Sequence, residues 1–150
     1  QNASKTLFSN KTFDLIYCRR GPSFYNEYSR IIKDGGYYLE IGIGERDTED
    51  LQKVFGRGQG YDQRDTPRLE KDIRELENSG FRIVFTENYF YNEYYFSQED
   101  FDTFLQSVPI FEDYDSVKDK KYMERYIKEN KSSKGINLPR HRIVIAALKK

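Results

Sequence analysis

The sequence has one cysteine (Cys18), one histidine (His141), one methionine (Met123) and no tryptophan. A lone cysteine excludes an internal disulfide, and together with a lone histidine it cannot complete a structural zinc site built from Cys and His ligands. Net charge is absent as well, since 25 Lys and Arg balance 25 Asp and Glu. No overall positive field is therefore available to hold a nucleic-acid backbone or an anionic membrane. Long apolar runs are also missing. The longest is 143–148, against the roughly 20 residues needed to span a bilayer, and no charged start followed by an apolar stretch opens the chain. A soluble cytoplasmic protein acting on a small molecule, with no metal and no membrane partner, is the expectation. At 150 residues there is room for a single domain, 1–150, with a real core.

Aromatic residues are present in excess. Only 37% of the chain is apolar, yet it holds 13 Tyr and 11 Phe, so the core and any pocket must be built largely from rings. With Met123 the only methionine and a strand-like segment soon after Gln1, the chain is expected to be a fragment.

Residues 13–18 (FDLIYC) form a short apolar run ended by Arg19-Arg20-Gly21-Pro22, the pattern of a buried strand and turn. Pro22 suits a first helical position, and Phe24, Tyr25, Tyr28, Ile31 and Ile32 make a helical stripe that Lys33-Asp34-Gly35-Gly36 stops. Residues 37–43 (YYLEIGI) are the next strand. Strand, helix and strand at this spacing make a βαβ unit, which requires parallel strands and a right-handed crossover. Asp47 or Thr48 is expected to cap a short helix ended by Gly56, and Thr66-Pro67 a longer one ended by Gly80. Residues 81–85 (FRIVF) are a third strand, which the aromatic run 87–96 can continue past a bend. Ser97-Gln98-Glu99-Asp100 reads as a capped helix start, a second helix is expected from Asp115, 128–134 as a loop, and 142–148 as the last strand.

The expected fold is α/β: a partial Rossmann-like, mostly parallel sheet of about four strands, the last antiparallel, with flanking helices and a helical insertion before that last strand. Ligands bind such sheets beyond the carboxyl ends of the strands. If the last two strands pair antiparallel at one edge, the connection 97–139 lies at that rim and reads as a lid. The first strand brings Cys18, Arg19 and Arg20 there, the second Gly42, Gly44, Glu45 and Arg46, and the last begins with Arg140 and His141.

His141 is the candidate general base, its ordinary pKa suiting neutral pH. Cys18 as a nucleophile lacks an orienting acid and an oxyanion hole, and a small core residue is the simpler reading. Arg19 and Arg20 can clamp a carboxylate or phosphate through the guanidinium fork, or pair with Glu45 and Asp47. Gly42-Ile43-Gly44 lacks the third glycine of a phosphate cradle and reads as close packing. A nucleic-acid surface through Arg57, Arg64 and Arg68 is disfavoured by the zero net charge.

The run 13–22 (FDLIYCRRGP), followed by Glu27-Tyr28-Ser29-Arg30-Ile31-Ile32-Lys33-Asp34-Gly35-Gly36-Tyr37, resembles the fourth strand, following helix and fifth strand of class I S-adenosylmethionine-dependent methyltransferases. Gly44-Glu45-Arg46-Asp47, Phe55-Gly56-Arg57-Gly58-Gln59, Ser79-Gly80-Phe81 and Pro139-Arg140-His141-Arg142 resemble segments of a bacterial branch of these enzymes. The resemblance implies methyl transfer from S-adenosylmethionine to an acceptor it does not identify. It also implies a pocket lined by 18–21, with Cys18 and Arg19 toward the cofactor, Arg20, Glu45 and Arg46 toward the substrate, and His141 as proton acceptor. A non-catalytic α/β module binding a ligand or protein is the alternative.

The family grips its cofactor through an amino-terminal half, with a Gly-rich loop after the first strand and an acid at the end of the second, and neither element is found here. The chain thus resembles a carboxyl-terminal half, expected to bind S-adenosylmethionine weakly or not at all and to be inactive alone. The family's sheet order sets the fourth strand beside the first. Segment 13–18 is then expected at an open edge, through which the chain self-associates.

Overall fold

The short apolar runs 13–18 and 37–43 send successive side chains to opposite faces when extended, the period of a strand. In the computed structural model, which describes residues 2–63 and 65–150, both segments are strands: β1 (Phe13–Arg19) and β2 (Ile32–Ile43). They pair in parallel, Leu15 with Tyr37, Tyr17 with Leu39 and Arg19 with Ile41. Helix α1 (Tyr25–Ile31) joins them. The expected stop at Lys33-Asp34-Gly35-Gly36 is not a separate turn. It is an irregularity inside β2, across which the register shifts, with Gly35 at φ +74°. A Cβ on Gly36 would lie 2.9 Å from the Asp14 carbonyl oxygen, so the two backbones meet where only glycine fits.

Helices α2 (Glu49–Phe55) and α3 (Arg68–Asn78) follow, then β3 (Phe81–Tyr95), α4 (Gln98–Ser107), α5 (Lys120–Asn130), the two-residue β4 (Lys131–Ser132) and β5 (Gly135–Lys149). The sheet order is β1-β2-β5-β3, with β4 paired to β5. β5 runs antiparallel to β2, Tyr37 opposite Leu148 and Ile43 opposite Arg142. The Lys150 N–H donates to the Gly80 carbonyl at 3.1 Å while Gly135 packs on the Tyr95 backbone, so β3 opposes β5 end to end. Hence β1, β2 and β3 point one way and β5 the other: the expected partial Rossmann-like sheet. Among the described residues no helix is long and apolar enough to cross a membrane.

The chain divides into two compact units, Gln1–Gly44 with Pro67–Tyr89 and Arg142–Lys150, and Glu45–Thr66 with Phe90–His141. In the first, α1 and α3 contribute Tyr25, Tyr28 and Leu76 to a core with Ile32, Tyr38, Phe81, Ile143, Ile145 and Ala147 from the strands. In the second, α2, α4 and α5 surround Leu51, Phe55, Phe101, Leu105, Met123, Tyr126 and Leu138. Rings dominate both, with Tyr28 stacked on Tyr38, Phe55 on Phe111 and Phe101 on Tyr126.

Several boundaries differ from the sequence expectation. α1 starts at Tyr25, and the carbonyl of Pro22 receives the Tyr28 hydroxyl at 2.7 Å. The cap position of α2 is Thr48 in a left-handed conformation, and neither Thr48 nor Asp47 caps with its side chain. Pro67, not Thr66, precedes α3. The Asp115 carboxylate accepts the N–H groups of Val117 and Lys118, a turn that delays α5 to Lys120. Segment 128–134 is the end of α5 and a hairpin into β5, which starts seven residues before Arg142. Arg64 lies outside the described residues.

Candidate functional site

The second unit gathers three of the expected rim residues. Glu45 and Arg46 leave β2, and His141 arrives on β5. His141 is only 1% exposed, its ring stacked on Phe90 with centroids 4.2 Å apart. Its Nδ1 accepts the Arg46 N–H at 3.2 Å and lies 4.0 Å from a Glu45 carboxylate oxygen. With Nδ1 an acceptor, the neutral ring carries its proton on Nε2. Taking up a second proton means giving up the Arg46 hydrogen bond, with Glu45 placed to meet the charge.

Holding this corner is an ion cluster that the sequence reading did not anticipate. Asp47 accepts from Arg140 Nε at 2.9 Å, from Arg140 Nη2 at 3.2 Å and from the His141 N–H at 3.0 Å. Glu93 takes the remaining face of the guanidinium through Nη1 and also receives the hydroxyls of Tyr91 and Tyr95. Burial would lower the Arg140 pKa, but the hydrogen bonds and charges of Asp47 and Glu93 outweigh it and hold the group firmly protonated. Asp47 had been expected as a helix cap. It instead ties the loop after β2 to β5. The signal for Glu93 was the period-2 series Tyr91, Glu93, Tyr95 within the aromatic run, one face of one strand.

Cys18, Arg19 and Arg20 belong to the first unit. Cys18 is partly buried and reduced, and a Cβ on Gly21 would lie 2.6 Å from its Sγ, so the chain folds tightly back over it. Arg19 and Arg20 are exposed. Arg20 holds a left-handed φ of +54° while its N–H donates to the Ile41 carbonyl at 3.0 Å. A non-glycine residue in that region is strained, a condition concentrated at functional positions.

The first unit also buries an acid missed in sequence, although an acid inside the apolar run 37–43 was its signal. Glu40 is 2% exposed and accepts the hydroxyls of Tyr25 and Tyr38 at 3.0 and 2.8 Å. Arg68 lies 3.9 Å away and is bonded to Asp72, which is equally buried. Burial raises the Glu40 pKa, and the charge of Asp72 adds to it, against the lowering effect of the two tyrosine hydroxyls and Arg68. Gly42, two residues on, packs as expected: a Cβ there would meet Ile143 at 2.7 Å. Among the described residues no group of three His, Cys, Asp or Glu is arranged to hold a metal ion.

No protein-family model matches the chain, and no curated protein is similar to it in sequence. Solved structures are similar in fold. A Bacillus halodurans protein assigned as a methyltransferase superposes with a TM-score of 0.64 at 16% identity, over 99% of this chain and 69% of its own. The YcgJ protein of Bacillus subtilis gives 0.59 at 14%, over 100% and 69%. A protein of Galdieria sulphuraria, assigned as a sarcosine dimethylglycine methyltransferase, gives 0.54 at 13%, over 100% and 58%. The chain has the fold of class I S-adenosylmethionine-dependent methyltransferases. It spans between 51% and 69% of the length of the first solved chains it matches.

β1, whose end carries Cys18 and Arg19, is the outermost strand of the sheet. α1 opens on Phe24 with no side-chain cap and spans seven residues.

Proposed function

We propose that this chain is the carboxyl-terminal half of a methyltransferase that moves the methyl group of S-adenosylmethionine to a small-molecule acceptor, and that it is inactive when it stands alone. The observation that carries this reading is the sheet order β1-β2-β5-β3 with β5 reversed, matched over the whole chain to longer proteins of methyltransferase fold. Methyl transfer asks mainly for positioning and exclusion of water. In the first unit Cys18 and Arg19 are assigned to the cofactor and Arg20 to the acceptor; in the second, Glu45 and Arg46 are assigned to the acceptor. His141 takes the acceptor's proton where one must leave, at the cost of its bond to Arg46. Helices α4 and α5, within 97–139, form the lid that selects the substrate.

Calorimetric titration with S-adenosylmethionine tests the reading, comparing this chain with one extended upstream by about 100 residues, the size of half a typical domain. Micromolar binding by the extended chain and at least hundredfold weaker binding by the present one is the expected result. Equal affinities would remove the fragment reading. No binding by either would favour a non-catalytic binding module.

A further inference from the structure

The edge strand β1 has a backbone with one side satisfied and one side open. The N–H groups of Thr12 and Arg20 donate to the carbonyls of Ile31 and Ile41, on the β2 side. Since backbone groups alternate along a strand, the even-numbered amides Asp14, Ile16 and Cys18 face β2 and the odd-numbered Phe13, Leu15, Tyr17 and Arg19 face away. At the two central open positions the side chains are apolar and half exposed, Leu15 at 53% and Tyr17 at 54%. Tyr37, beside Leu15 in register, is 47% exposed, so the apolar surface continues onto β2. Natural edges are usually blunted by lysine, proline or inward charge, and β1 contains none of these at its centre.

We propose that the chain pairs with a second copy of itself through β1, antiparallel and centred on Ile16. A two-fold axis normal to the sheet keeps each face continuous, so residues directly opposite must have the same parity. Centring on Ile16 overlaps the whole of Phe13–Arg19. It sets Leu15 against the partner's Tyr17, both through open backbone groups and on the same face, an aliphatic–aromatic pair of the kind that stabilises sheets. Asp14 falls opposite the partner's Cys18 and Phe13 opposite the partner's Arg19, so no like charges meet. The other edge, β3, interrupts its apolar residues with Arg82, Glu87 and Glu93. A single strand pair covers less than the roughly 1,000 Å² of a stable interface, so the dimer is a reversible one that dissociates on dilution. The inference stands on the strand itself and holds whether or not the chain binds S-adenosylmethionine.

Sedimentation over a concentration series, with amide hydrogen exchange read by NMR at its two ends, tests it on the chain as it is. The expected result is a monomer–dimer equilibrium in which the Leu15 and Tyr17 amides lose at least tenfold in protection on dilution while Ile16 and Cys18 do not change. Tyr17→Pro, which removes an outward N–H and the ring set against the partner's Leu15 but no hydrogen bond to β2, is expected to weaken the dimer at least tenfold; if that variant fails to fold, Leu15→Lys is expected to do the same. A monomer at every concentration, or a dimer whose protection gains fall on β3, overturns the proposal.

Discussion

Glu40 shows what a single residue can reveal about this fold. An acid in the middle of an apolar strand is either exposed or buried with partners, and here two tyrosine hydroxyls meet it. Burial raises its pKa, so its protonated form suits the folded chain. The sign follows. The stability this confers is full below the ordinary carboxyl value, about 4.3, and is lost as pH rises through the raised folded value. Glutamine imitates the protonated acid. Glu40→Gln is therefore expected to match the parent near pH 4 and to gain on it steadily toward pH 8, as read by urea unfolding at each pH; a constant difference would refute it. Asp47 behaves differently, because removing it takes two hydrogen bonds from the buried Arg140 guanidinium, leaving that charge to Glu93, and also takes the acceptor of the His141 N–H. Asp47→Ala is expected to cost about 3–5 kcal/mol in denaturant unfolding, the usual penalty for breaking a buried pair, and a loss below about 1 kcal/mol would show the pair to be effectively solvated.

Elements were legible where the signal is local. Ser97 accepts the Asp100 N–H at 3.0 Å and Asp100 receives the Ser97 N–H at 3.2 Å, the capping box expected from the sequence. Ser97→Ala is expected to lower stability by about 1 kcal/mol. Extents were less legible because neighbours across the sheet decide them. The aromatic run 87–96 is expected to continue the third strand past a bend, and in the structure pairing along β5 keeps β3 one strand to Tyr95. Pro139 suggested a boundary, yet it lies inside β5 and its carbonyl receives the Thr48 N–H. Gly135 marks the true start of β5, with φ +119° and the Tyr95 carbonyl oxygen 2.6 Å from where a Cβ would sit. Gly135→Ala is thus expected to destabilise more than Ser97→Ala in the same thermal melts, and the reverse order would show that the hairpin yields.

At the scale of the whole molecule, the βαβ spacing and the reversed last strand sufficed for the fold class, since few topologies satisfy a right-handed crossover. The corner built by Asp47, Glu93 and Arg140 was not legible, because its members are brought together by strand register and share no sequence motif. What the whole molecule leaves open is the outer side of β1. On the proposed reading that side belongs in the interior of a longer sheet. Hydrogen exchange at the Leu15 and Tyr17 amides in a chain extended upstream measures this most directly. Protection that is strong and independent of concentration is expected; exchange at the rate of an open edge would contradict the assignment of this chain as half of a methyltransferase.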